Sequence, residues 1–106
     1  MKIKQGVRLL GVHPAVILAA GIVDEVFNAL AGHGVTITGG IEGSHSRSSL
    51  HYIGHAMDFR TRRDGIDKTL ANQIANELRA RMPTDFDVIV HETHIHLEWQ
   101  PHNNYA

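Results

Sequence analysis

Nine histidines stand in a chain of 106 residues, and seven of them fall between His45 and His102. Imidazole is the usual proton carrier at neutral pH and a common protein ligand for zinc, so this density points to metal or proton-transfer chemistry. Two clusters carry it. In the first, Ser48-Ser49-Leu50-His51-Tyr52-Ile53-Gly54-His55-Ala56-Met57-Asp58, a histidine leaves a loop and an aspartate follows seven residues later inside a predicted strand. A loose start and a rigid end let both side chains reach one point. In the second, His91-Glu92-Thr93-His94-Ile95-His96-Leu97-Glu98-Trp99, strand alternation puts His94, His96 and Glu98 on one face and Ile95, Leu97 and Trp99 on the other. One face is chemical and the other belongs to the core.

A catalytic zinc takes three protein ligands at about 2.0–2.2 Å and keeps a further position for water, which a His, Asp, His set provides without thiolates. The chain has no cysteine, so disulfides, thiolate catalysis and Cys-based zinc sites are excluded. Water in such a site ionises near pH 7, about the range in which a neighbouring histidine can accept its proton and return it to a leaving amine. His94, on the face of His96 and two residues away, is the first choice for that base. His91, just before the turn, is the second. Glu92, which alternation turns away from the face of His91, is the third.

The run from Ser49 to Asp58 matches, at every fixed position, S-x-H-x-x-G-x-A-x-D. In this it resembles the D-Ala-D-Ala carboxypeptidase and L-alanyl-D-glutamate endopeptidase metallopeptidases, a family that includes phage endolysins and vancomycin-resistance dipeptidases. His96-Leu97-Glu98 is similar to the H-F-E ending of that family's closing motif. The resemblance spans roughly residues 13–101 and implies His51, Asp58 and His96 as ligands of a single Zn2+. It also implies an α+β fold of the hedgehog and D-Ala-D-Ala peptidase type, a small antiparallel sheet flanked by helices with the zinc on the sheet. The activity implied is hydrolysis of amide bonds in peptidoglycan stem peptides, as a carboxypeptidase or an endopeptidase.

Two departures from the family bear on mechanism. Thr93 stands where many members carry a carboxylate base, although His91-Glu92-Thr93-His94-Ile95-His96 is similar to the H-x-x-H-x-H ending of a branch that uses histidine. Thr38-Gly39-Gly40-Ile41-Glu42 lacks the arginine common after the strand entering the site, leaving Arg47 as a substitute. Both departures favour an alternative, a wall-peptide-binding module that keeps a structural zinc site. Against it stand an open coordination position and the spare histidines beside it.

These groups must be positioned by a small number of elements. Pro14 suits the first turn of a helix, and Val16, Ala20, Val23, Phe27 and Leu30 follow at spacings of four and three, as one core-facing stripe. Gly32 and Gly34 end it, and Val35 to Ile41 reads as a strand. Glu42 to Ser49 reads as a loop and His55 to Thr61 as a second strand. Ile66, Leu70, Ile74, Leu78 and Met82 mark a second helix, capped by Asp67 and stopped by Pro83. Phe86 to His91 and His94 to Gln100 form a hairpin, and the tail from Pro101 is frayed. Gly54 permits a tight turn. His13, His33, His45, His55 and His102 are expected to take no part in the chemistry. Trp99 is expected in the core, and Arg60, Arg62 and Arg63 in a solvated turn rather than a carboxylate clamp.

A 42% hydrophobic share over 106 residues suits a single domain, residues 1–106. Ten Lys and Arg against eleven Asp and Glu give a net charge of -1 and no basic footprint for nucleic acid. Lys2, Lys4 and Arg8 before the apolar run Leu9 to Val23 superficially resemble a secretory signal. His13 and Pro14 interrupt that run, and its period continues through Phe27, as in a folded amphipathic helix. The expectation is therefore no signal peptide and no membrane span. The expected protein is a monomer, cytoplasmic until released or phage-associated, that acts on the cell wall.

Overall fold

Proline fixes φ and needs no intrahelical partner for its nitrogen, and here Pro14 opens α1 (Pro14–Ala31). The His13 side chain caps the helix, accepting the Ala15 N–H at 3.0 Å. Gly32 ends it in the left-handed conformation, at φ 80°. The computed structural model describes residues 1–42 and 54–101. The other elements are β1 (Lys2–Ile3), β2 (Thr36–Gly39), β3 (Ala56–Arg60), a 3-10 turn (Arg62–Asp64), α2 (Lys68–Arg81), β4 (Phe86–Val90) and β5 (His94–Trp99).

The apolar stripe of α1 is broader and shorter than its spacing predicts. Ala19 and Val26 join Val16, Ala20, Val23 and Phe27 in the core, whereas Leu30, in the last turn before the chain reverses at Gly32, stays 44% exposed. With 18 residues and a mean hydropathy of 1.6, α1 meets the length and composition of a membrane span, which the sequence reading did not expect of any stretch. In this fold one third of it is buried inside the protein. Asp67 caps α2 as expected, its carboxylate accepting the Leu70 N–H at 2.8 Å, a contact worth about 1 kcal/mol. Ala71, Ile74, Ala75 and Leu78 face inward, and α2 packs against α1 and β4.

The five strands form one sheet in the order β1-β2-β3-β5-β4. The sheet is mixed, not purely antiparallel as expected: β1 runs parallel to β2, through Lys2 N–H to Val35 O at 2.8 Å and Lys4 N–H to Ile37 O at 2.9 Å. β1 has two residues, both exposed, too few to show an alternation in sequence. The remaining pairs are antiparallel. Ile37, Met57, Phe59, Val88, Ile95 and Leu97 project from the sheet into one core with both helices. Burying a side chain of this size contributes about 1.5–3 kcal/mol. The fold is thus α+β, with both helices packed on one face of the sheet.

Gly54 is placed by backbone contact. At φ +78° it takes a conformation that disfavours a side chain, and a Cβ there would collide with the Gly11 carbonyl oxygen. Its own carbonyl accepts the His13 N–H at 2.8 Å, so the chain entering β3 is tied to the start of α1.

Candidate metal centre

Strand alternation assigns Met57 and Phe59 to the helix-covered face of the sheet, and Asp58 and Arg60 to the other. The β3–β5 register then sets Asp58 opposite His96 and Arg60 opposite His94. Across this pair the Asp58 Oδ1 and His96 Nδ1 atoms lie 2.7 Å apart, and His96 Nε2 lies 2.9 Å from Glu98 Oε1. His96 is thus held between two carboxylates, with 14% of its side chain exposed.

His94 and His91 complete the cluster. His94 Nε2 is 3.9 Å from Asp58 Oδ1, while its Nδ1 is within 3.1 Å of the Thr93 hydroxyl. The His91 ring stacks on that of His94 with centroids 4.7 Å apart, and stands edge-on to His96 at 6.1 Å. Glu92 is not brought to this face: it is 80% exposed and pairs with Arg62 at 3.2 Å. The expected ligand His51 and the expected arginine substitute Arg47 lie outside the described residues, as do His45 and His102.

Two contributors were given no role from the sequence. Gly39, the β2 partner of Asp58, has no side chain, and a Cβ there would lie 2.7 Å from Asp58 Oδ2. Asp58 therefore packs against bare backbone. Glu98 was placed on the face of His96 by alternation, and the structure adds its contact with the second ring nitrogen.

Among the described residues, no group of three or more His, Asp or Glu is arranged to hold a metal ion. The chemistry of the donor pair nevertheless suits zinc. Two donors of a tetrahedral zinc lie about 3.3 Å apart. For both side chains to hold one zinc ion, the 2.7 Å hydrogen bond between Asp58 and His96 would have to open by about half an ångström. Glu98, accepting from Nε2–H, would leave Nδ1 as the coordinating atom, the usual role of a carboxylate behind a metal-binding histidine.

Burial alone would lower the His96 pKa below its ordinary 6.5, but hydrogen bonding and charge from Asp58, then from Glu98, outweigh it and raise the value. In the metal-free chain this contribution to stability is complete below pH 6.5 and is lost as pH rises through the raised value. Coordination needs the nitrogen unprotonated, so the dependence is opposite for metal. Zinc affinity should climb with pH through that value, as measured by competition with a chromophoric chelator. An affinity unchanged between about pH 6 and 8 would remove His96 from the ligand set.

Several residues expected to be incidental have defined places. The rings of His13 and His55 lie 4.2 and 5.0 Å from that of Trp99, whose Nε1–H donates to Asp85 at 3.0 Å. His55 is thus packed beside Trp99 at the core edge rather than on plain strand surface, and burial followed by the charge of His13 lowers its pKa. The His33 ring lies 2.9 Å from the Gly34 carbonyl. Arg60 does not belong to a solvated turn: it lies in β3 on the face of Asp58, only 21% exposed, with Asp64 at 3.8 Å. Comparison with family models, with curated proteins and with solved structures returned no match to this chain.

Proposed function

We propose that this chain is a zinc-dependent peptidase that hydrolyses amide bonds in peptidoglycan stem peptides, with His51, Asp58 and His96 as ligands. The observation that carries this reading is the pairing of Asp58 and His96 across β3 and β5 on the helix-free face, with two further histidine rings stacked beside them. When bound, zinc supplies a water acidic enough to attack at neutral pH and a Lewis acid for the scissile carbonyl.

The protein's own residues supply the rest. Glu98 fixes the ring of His96, and Gly39 leaves room for Asp58 to lie against β2. His94 is the proton carrier: in the tautomer whose Nδ1–H donates to the Thr93 hydroxyl, Nε2, the atom on the Asp58 side, takes a proton from the attacking water and returns it to the leaving amine. Stacked on it, His91 limits the orientations its ring can take. The protein would work at the cell wall, after release from the cytoplasm or as part of a phage.

Digestion of purified peptidoglycan with the zinc-loaded chain, with and without chelator, tests this directly. Mass analysis should show new stem-peptide fragments that the chelator suppresses. Unchanged muropeptides in both arms would overturn the peptidase reading and favour a wall-peptide-binding module.

A further inference from the structure

The segment that joins β1 to α1 contains no helix or strand, yet its side chains are sorted. Val7, Leu9 and Val12 pack against the core, while Arg8 and Leu10 face solvent. Anchored in this way, its backbone meets the chain on both sides of residues 43–53, the stretch that carries His51. On the upstream side the Arg8 carbonyl accepts the Ile41 N–H at 3.0 Å. Glu42 Oε1 bridges the same two strands of chain, accepting the N–H of Arg8 at 2.9 Å and that of Gly40 at 2.8 Å. Gly40 lies so close that a Cβ there would stand 2.5 Å from the Arg8 carbonyl oxygen.

The downstream side is held by the next few residues. The His13 N–H donates to the Gly54 carbonyl at 2.8 Å, and the Gly11 carbonyl oxygen fills the space that a Gly54 side chain would need. Gly11 touches the upstream side as well: at φ +97° it turns its bare Cα to Ile41, whose Cδ1 would lie 3.1 Å from a Cβ. His13 also caps α1, and its ring lies 4.2 Å from that of Trp99 in β5, the strand of His96. Residues 8–13 therefore grip both ends of the His51 stretch and refer them to the frame of the candidate centre. Fixing the two ends of a chain removes conformations from everything between them, so less order remains to be imposed when a side chain there takes a ligand.

We infer that residues 8–13, bridged by Glu42, are a clasp that positions His51 for the metal. The inference rests on the peptidase reading, in which His51 is a ligand, and adds to it a set of positioning residues that never touch the ion: Arg8, Gly11, Gly40, Glu42 and Gly54. The coupling is reciprocal, so metal held through His51 must close the clasp by the same factor as the clasp tightens the metal.

Two measurements on the full chain test this: zinc affinity by chelator competition, and backbone amide exchange followed residue by residue with and without zinc. Glu42→Ala removes the acceptor of both N–H groups, and Gly40→Ala drives a methyl group against the Arg8 carbonyl. Each should weaken zinc about tenfold, the lower end of the range for contacts that orient ligands from behind. Asp67→Ala is the comparison: it removes the cap of α2, outside the clasp, and should lower the melting temperature without changing zinc affinity. In the metal-free chain, exchange at Ile41 and at His13 should quicken together in Glu42→Ala, although only Ile41 lies on the altered side. Zinc should slow both amides of the wild type by about the same tenfold. Wild-type zinc affinity in Glu42→Ala and Gly40→Ala overturns the proposal, as does an equal loss of affinity in Asp67→Ala. Exchange that quickens at Ile41 alone also overturns it, since the two ends would then be held separately. A wild-type chain that takes up no zinc ends the peptidase reading, and exchange in the metal-free variants still decides whether the clasp acts as one unit.

Discussion

Asp58→Ala and His96→Ala should each reduce zinc retained after dialysis from about one equivalent to near none, because each removes one of the three ligands proposed for a mononuclear site. The same result is expected for His51→Ala. The Asp58 and His96 side chains already lie 2.7 Å apart, so neither loss can be compensated by a small rotamer change of the other. Glu98→Gln is the informative contrast. It keeps the shape but weakens the contact behind His96, and outer contacts of this kind are worth about 10–100-fold in metal affinity. Elemental analysis after dialysis measures the first effect and chelator competition the second. Wild-type zinc content in Asp58→Ala would end the assignment.

The second large effect concerns proton transfer. At matched zinc occupancy, His94→Ala should lower turnover of peptidoglycan fragments by roughly two orders of magnitude or more, the usual contribution of a general base. His91→Ala should cost less, since His91 acts on the ring of His94 by stacking. Glu92→Ala should remain within a few-fold of wild type, because Glu92 is exposed and its ion pair with Arg62 is of a kind worth about 0–1 kcal/mol. Full activity of His94→Ala with zinc retained would transfer the role to His91. Low activity of Glu92→Ala would show that Glu92 leaves Arg62 when substrate is bound.

Both expectations depend on geometry that was partly legible in the sequence. Period-two alternation placed His94, His96 and Glu98 on one strand face, and the hairpin and the Asp67 cap followed from local signals that act within a few residues. What alternation could not supply was register. That Asp58 faces His96, 38 residues away, depends on how two distant strands slide against each other, and a shift of one residue would have turned every side chain to the opposite face. The same reason hid the packing of Gly39 on Asp58. Strand β1 escaped because two exposed residues carry no pattern, and Leu30 because a stripe continues in sequence after its partner surface has ended. Arg60 was grouped with Arg62 and Arg63 by proximity in the chain, yet the strand ends between them and only Arg60 shares the face of Asp58.

The sheet order has a consequence for where the molecule can loosen. β3 and β5 are its interior ladder, with β2 and β1 on one side and β4 on the other. Fraying begins at edges, where a strand has one neighbour, and β1 and β4 can detach without separating β3 from β5. Backbone amides between the interior strands then exchange with solvent only when the whole sheet comes apart. Asp58 and His96 consequently stay in register when either edge strand frays.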